Sequence, residues 1–353
     1  MAKLGYLPKE KLTALLEALS KEQRLFVPCQ AGDAVLFQQY DATKTPCLDR
    51  PATTPPKGII FPQDDTLFTF TYHKDAEDLK KVSVELKENL DVAPTIIFGA
   101  RPCDAKGFLI YDRPYTETDT PDPYYKKRRD MTAIMTLACP APSPGCFCTS
   151  VGGDPADKDG SDVLITQLES GYLFESITEK GETILQNSLF EEGSSYQEQA
   201  QRTHEAVAEL VRKPFQVTEE LTQKVLSLFE NDSFWEEEAN KCISCGACTY
   251  LCPTCYCFNI TDEQAGSSGE RIRTWDACMF YHFTLEASGH NPRALKHQRL
   301  KNRVGHKFSY YPQKYDGAIA CCGCGRCVRY CPVSVDISEI VAHAQEYTND
   351  HGE

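Results

Sequence analysis

"CISCGACTYLCPTCYCF", residues 242–258, is the stretch whose reading decides the fold of this chain. Within it Cys242, Cys245, Cys248 and Cys252 follow the spacing C-x2-C-x2-C-x3-C, closed by Pro253. The same spacing returns in "CCGCGRCVRYCPV", residues 321–333, through Cys321, Cys324, Cys327, Cys331 and Pro332. Two-residue gaps let three thiolates wrap one side of a compact [4Fe–4S] cubane, and the cysteine ahead of proline ligates the other cluster in two-cluster ferredoxins. The spacing therefore pairs Cys242, Cys245 and Cys248 with Cys331 around one cluster, and Cys321, Cys324 and Cys327 with Cys252 around a second. Zinc is the competing ligand, but it uses two separated pairs of donors and needs neither the third cysteine of each run nor the closing C-P. Cys322 fits neither ladder and reads as a thiol beside a cluster.

Composition is consistent with that chemistry. The 353 residues contain 18 cysteines. A disulfide scaffold of that density is a short secreted chain, whereas clustered thiols in a long chain ligate metal or carry out redox chemistry. Cys29 and Cys47 stand apart and read as plain reduced thiols. The first residues, "MAKLGYLPKEKLTALLEALSKEQ", read as an amphipathic helix with Leu12, Leu15, Leu16 and Leu19 on one face, not as a signal peptide. The expectation is a cytoplasmic protein with no membrane span, since no apolar run is long enough to cross a bilayer. The net charge of −14 argues against a nucleic-acid partner.

Outward from the ladders, strand and helix signals alternate up to about residue 190. "LFVPC", "AVLFQQY", "TIIFGA" and "TAIMTLA" read as strands, and "SDVLITQLESGYLFESITEKG" as a hairpin. Residues 191–235 read as a helical connector. Residues 236–353 read as an α-helical, ferredoxin-like dicluster domain, with "WDACMFYHFTLEAS" and "NPRALKHQRLKNRVGHK" helical between the two cysteine runs. The expected fold is thus an α/β or α+β domain over residues 1–190, then the connector, then the dicluster domain. The segment from His290 to Lys314 holds seven lysines or arginines and no acid. It is a solvated helix face or a docking patch for an acidic partner.

These motifs resemble a family. "RPCD", "GCFC", "KCISCGACTYLCPTCYC", "RTWDACM" and "CCGCGRCVRYCPV" occur in the order seen in the 4Fe-4S dicluster subunit of anaerobic sulfite reductase and in the beta subunit of cytoplasmic NiFe sulfhydrogenases. The resemblance implies an iron–sulfur subunit relaying electrons between a flavoprotein subunit that uses NAD(P)H and a catalytic redox subunit. That catalytic subunit is a sirohaem sulfite reductase, a NiFe hydrogenase or a heterodisulfide-reductase-type module. No G-x-G-x-x-G follows a strand, so neither NAD nor flavin is expected here, and no catalytic residue is assigned. Two alternatives stand beside the relay. One is a flavin-binding oxidoreductase subunit; the other is a thiol-based disulfide reductase built on Cys321-Cys322-Gly323.

Several cysteines lie outside the ladders but inside the resemblance. Cys255, Cys257 and Cys278 fall one short of a cubane's four ligands and read as packing beside the clusters, where hydrogen bonds to sulfur tune potential. Cys103 and Cys139 each end an apolar run, and Cys146 and Cys148 follow in "CPAPSPGCFC". If the two runs are neighbouring strands, all four thiols meet at one sheet edge. A third [4Fe–4S] cluster suits them, zinc suits them nearly as well, and buried strand cysteines are the plain alternative. The resemblance favours the cluster.

Overall fold

The computed structural model describes residues 3–78 and 80–348. Its strands, in chain order, are β1 (Leu4–Pro8), β2 (Arg24–Ala31), β3 (Ala34–Gln39), β4 (Asp64–Lys74), β5 (Val82–Glu88) and β6 (Thr95–Ala100). They continue as β7 (Thr132–Leu137), β8 (Val163–Gln167), β9 (Gly171–Ser176), β10 (Glu191–Glu192), β11 (Phe258–Ala265) and β12 (Ser268–Trp275). An eight-stranded sheet runs β10-β1-β9-β8-β7-β6-β2-β3, and its centre, β8-β7-β6-β2, is parallel.

The parallel centre explains why "TIIFGA" and "TAIMTL" are apolar throughout instead of alternating. Strands covered on both faces read as continuous apolar runs. Ile96 and Phe98 pack with Leu15, Leu16 and Leu19 of helix α1 (Leu12–Glu22), while Ile97 and Ile134 face Phe108, Tyr111 and Tyr125 on the opposite side. Those residues belong to α2 (Pro102–Tyr115) and α3 (Pro123–Asp130). The opening segment differs from expectation. Leu4–Pro8 pairs with β9 as a strand, and the helix starts only at Leu12, because Pro8 interrupts any earlier helical hydrogen bonding.

A second sheet, β11-β12-β4-β5, joins distant parts of the chain. β11 and β12 form a hairpin turning at Gly266 (φ 63°), and β12 pairs antiparallel with β4. The segment between the cysteine runs is therefore not helical throughout. "WDACMFYHFTLEAS" begins at the last pair of the hairpin, Phe258 with Trp275, and contains only the short 3-10 turn Tyr281–Thr284. Helix returns at α4 (Lys296–Gly305), which continues without a break into a π-helical turn, His306–Tyr310. The helical share of the C-terminal region is thus modest. Its core gathers Phe215, Val225, Trp235, Leu300, Phe308 and Ile340 around the ladders.

The composition-based division near residues 190 and 235 does not separate the sheets, since the hairpin completes a sheet begun at β4. Asp65 accepts from Arg273 at 2.8 Å and from Arg128 at 2.6 Å, and Arg273 also donates to Asp122 at 2.6 Å. These buried ion pairs tie the inserted hairpin to the N-terminal strands.

Candidate iron–sulfur sites

The two ladders fold alike. Ser244 (φ 56°) and Gly323 (φ 59°) are left-handed, as are Gly246 (φ 75°) and Gly325 (φ 68°), and a one-turn helix follows each run, at Ala247–Tyr250 and Arg326–Arg329. The left-handed residue two positions after the first cysteine turns its N–H back on the sulfur: Ser244 donates to Cys242 Sγ and Gly323 to Cys321 Sγ, both at 3.4 Å. Val335 N–H likewise donates to Cys331 Sγ at 3.2 Å. Amide donors aimed at sulfur are the environment that thiolate ligands of a cluster require.

Around these loops the cysteines divide between two cavities. Cys242, Cys245, Cys248 and Cys331 line one. Cys252, Cys321, Cys324 and Cys327 line the next. The cavities share a wall made by Cys327 and Arg303. Burial pushes the Cys321 thiol up to about 11 and raises Cys248 as well, so these groups resist ionisation until a cation compensates them. Among the described residues no three His, Cys, Asp or Glu side chains close on a point tightly enough for a single ion. A tetrahedral zinc ion needs four sulfurs at about 2.3 Å from one centre. A cubane takes one thiolate at each of four separate irons and spreads them apart.

The electrostatics of the cavities were not visible in the sequence. Arg299, Arg303 and Lys307 follow one another at four-residue intervals, and all three turn inward. Arg299 braces the first ladder loop through Ser244 Oγ at 3.2 Å and Met279 O at 3.0 Å. Arg303 Nη1 donates to Cys255 Sγ at 3.3 Å and Nη2 to Cys248 O at 2.8 Å. Lys307 Nζ donates to Cys252 Sγ at 3.5 Å, Thr254 Oγ1 at 2.7 Å and Ala320 O at 2.9 Å. Lys57, from the N-terminal half, reaches the same region and donates to Cys255 O at 2.9 Å and Thr249 O at 3.3 Å. Burial drives the Lys57 ammonium down to about 8. Among the described residues the bonding partners of Arg303, Lys307 and Lys57 are thiols, hydroxyls and carbonyls, with no carboxylate among them. Buried cations need buried anions. Thiolate-ligated iron–sulfur clusters are net negative, so the donor set and its cationic frame fit such a group. Four of the seven cations in the basic segment from His290 to Lys314, namely Arg299, Lys301, Arg303 and Lys307, are buried and so form neither a solvated face nor a docking patch.

Cys103 and Cys139 emerge at the carboxyl ends of β6 and β7, which are parallel neighbours. With Cys146 they line a third cavity of about 180 Å³, whose remaining wall includes Cys324 of the second ladder. Cys148 opens the 3-10 turn Cys148–Val151 and stands behind Cys139 and Cys146; burial and those two thiols push it up to about 12. Burial likewise pushes Cys139 to about 11. Arg329 Nη1 points at Cys146 Sγ from 3.7 Å. The loop bearing Cys146 and Cys148 lies directly on the second ladder: Phe147 N–H donates to Gly323 O at 2.8 Å. A Cβ on Gly323 would stand 2.5 Å from Cys148 N, and one on Gly325 would stand 2.5 Å from Gly145 O.

A carboxylate that sequence reasoning passed over joins these parts. Asp104, one residue after Cys103, takes both arms of Arg326, at 2.6 and 3.2 Å, and each side chain is about 1% exposed. Arg326 sits between Cys324 and Cys327. Cys255 touches Cys252, and Cys257 touches Cys278, so the three extra cysteines lie beside the ladder ligands instead of converging on a cavity of their own. Cys322 lines the second cavity beside Cys321. Cys29 and Cys47 remain apart from all three cavities.

Residues 241–335 match the 4Fe-4S dicluster domain family. Over 349 residues, 96% of this chain and 98% of the relative, the sequence is 28% identical to sulfhydrogenase 2 subunit beta of Pyrococcus furiosus. No solved structure matches. The resemblance carried by the motifs to sulfhydrogenase beta subunits therefore extends over nearly the whole chain, and its C-terminal region is a 4Fe-4S dicluster domain following a sheet-rich α/β region. Among the described residues no helix is long and apolar enough to cross a membrane.

Proposed function

We propose that this chain is the iron–sulfur electron-transfer subunit of a hydrogenase-type complex. In this reading it carries electrons between a flavoprotein subunit that uses NAD(P)H and another that holds the catalytic centre. The observation behind it is that three thiol-lined cavities stand in a row with shared walls. Cys324 separates the third cavity from the second, and Cys327 with Arg303 separates the second from the first. A contiguous row of redox sites inside one chain is a conductor.

Cys242, Cys245, Cys248 and Cys331 hold the first [4Fe–4S] cluster, and Cys252, Cys321, Cys324 and Cys327 the second. Cys103, Cys139, Cys146 and Cys148 hold a third, placed where electrons enter or leave through the N-terminal region. When bound, the clusters supply one-electron storage at each site. The chain's own residues do the rest. Amide donors from Ser244, Gly323 and Val335 orient the sulfurs, and the helical core excludes water. Arg303 and Lys307 offset the charge that accumulates on reduction. Cys255, Cys257 and Cys278 pack beside the ligands without binding iron. The catalytic partner is a NiFe hydrogenase, by the similarity to the sulfhydrogenase chain; a sirohaem sulfite reductase and a heterodisulfide-reductase-type module are the other members of that class.

The test is iron and sulfide analysis of anaerobically purified protein, with electron paramagnetic resonance after reduction. Two cubanes require about eight iron and eight sulfide, and three require about twelve of each. Stoichiometric zinc with little iron overturns the reading. The isolated chain is expected not to oxidise NAD(P)H until a flavoprotein is added. A second reading has one observation in its favour: a separate open cleft of about 570 Å³ includes Phe37, Trp275 and Arg128 in its lining, a size suited to an organic cofactor. A flavin spectrum in the isolated chain would shift the assignment to a flavin-binding subunit.

A further inference from the structure

We infer that Lys307 sets the order of reduction inside the dicluster domain, making the cluster held by Cys252, Cys321, Cys324 and Cys327 the first of the pair to accept an electron. The inference rests on the cluster assignment proposed above and goes beyond it by naming a direction.

The two cavities of the domain are built from loops that fold alike, so ligand chemistry alone gives no reason for their potentials to differ. Their cations differ. Arg303 lines both cavities and acts on both. Lys307 lines only the second, while Arg299, which braces the first ladder loop through Ser244 Oγ, and Lys57, held by backbone carbonyls, line neither. The Lys307 ammonium, 2% exposed, is fixed by three acceptors, and one of them is the sulfur of Cys252. With every N–H committed, the charge cannot swing away. Among the described residues no acceptor of Lys307 is a carboxylate that would cancel it, and its neighbours are the thiols of Cys252, Cys255, Cys321 and Cys322, the cations Arg303 and Lys57, and the neutral ring of His306.

Placement depends on the π-helical turn that begins at His306. The turn adds a residue to the helical path, and such insertions re-aim a side chain at functional sites. Lys307 thereby keeps the inward line begun by Arg299 and Arg303, and Phe308 still reaches the apolar core.

The step is a plain electron transfer. With a cluster held by Cys252, Cys321, Cys324 and Cys327, one electron leaving a reduced donor, which is oxidised, would make the charge beside Lys307 more negative by one. No bond forms or breaks and no proton moves. A fixed cation beside a ligand sulfur favours the more negative state, so the second site is the lower point of the pair for electrons arriving from either side.

The experiment is a potentiometric titration of the anaerobically purified full-length protein, followed by electron paramagnetic resonance. Cys242→Ala and Cys321→Ala identify which signal belongs to which cluster. In the unmodified protein the signal lost in Cys321→Ala should titrate at the higher potential. Lys307→Met should make reduction of that cluster at least tenfold less favourable, a downward shift of about 59 mV for one electron. The other cluster should move less, and Lys307→Arg should restore most of the shift. Lys314→Met, on the exposed end of the same segment, should change neither potential. Equal potentials in the unmodified protein, or a Lys307→Met variant with both potentials unmoved, overturns the inference while leaving the clusters in place. Protein without iron overturns the cluster assignment and the inference with it. If Lys307→Met does not fold, the comparison of the two signals in the unmodified protein still decides.

Discussion

Asp104→Ala is the perturbation that most directly tests how the third site is held against the ladders. Asp104 and Arg326 form a bidentate pair at 2.6 and 3.2 Å, with both side chains about 1% exposed. Removing one partner of a buried pair strands the other charge, which costs about 3–5 kcal/mol. Asp104 Oδ2 also accepts the Arg101 N–H at 3.1 Å at the start of α2. Losing that cap adds about 1 kcal/mol. At about 2 °C per kcal/mol for a long chain, the melting midpoint should fall by roughly 8–12 °C. The assay is a circular-dichroism melt of anaerobic protein at one fixed scan rate. Asp104→Leu with Arg326→Met, which strands no charge, should melt above either single variant. A shift below about 2 °C for Asp104→Ala, or a double variant equal to the sum of the singles, would show that the pair does not lock the two regions.

Three further outcomes are expected. Gly323→Ala places a Cβ 2.5 Å from Cys148 N at a left-handed position; it should lose at least one cluster's worth of iron, about four atoms. Gly317→Ala, equally left-handed but with open space around it, should keep its iron. Burial, then Lys307 and Arg303, push His306 down to about 4, so it is neutral in the fold yet takes a proton in the unfolded chain below about 6.5. The unfolded chain therefore binds more protons between those values, and stability should drop by about 2 kcal/mol from pH 7 to pH 5. His306→Phe should flatten that slope in urea denaturation, and parallel slopes for the two proteins would refute it. Cys257→Ser and Cys278→Ser should each retain full iron; loss of about four atoms would make them ligands.

The grouping of the ladder cysteines was legible in their spacing, since Cys242, Cys245 and Cys248 share a cavity with Cys331, and Cys321, Cys324 and Cys327 share one with Cys252. The parallel centre of the large sheet was legible for a similar reason, since "TIIFGA" and "TAIMTL" are apolar on both faces. The inward cations were not. Arg299, Arg303 and Lys307 lie at four-residue intervals, a pattern of like charges that an isolated helix tolerates only in water. Its burial depends on anionic groups supplied by another part of the chain, which no local pattern announces. The β11–β12 hairpin escaped for a different reason. β11 is exposed along its whole length, so "FNITDEQA" lacks the alternation that marks a half-buried strand. Asp104 sat inside the quoted "RPCD", but its partner lies 222 positions away.

The pairing of β12 with β4 fixes when this protein can finish folding. β4 and β5 leave the ribosome early, yet the strand that covers one side of β4 follows roughly 200 residues later, a wait of about 10–40 s at typical synthesis rates. During that interval β5 presents Val82, Val84 and Leu86, which remain exposed even in the finished fold, beside an unpaired β4 edge. An unpaired edge beside exposed apolar side chains leaves nascent chains open to mispairing with one another until β12 arrives. Maturation must also run in one order. The first ladder emerges before the second, and each of the two cavities is lined by a cysteine from the other run, Cys331 in the first and Cys252 in the second. On the ligand pairing proposed above, neither cluster could be completed before the second ladder has been made, the first waiting for Cys331 and the second for Cys327.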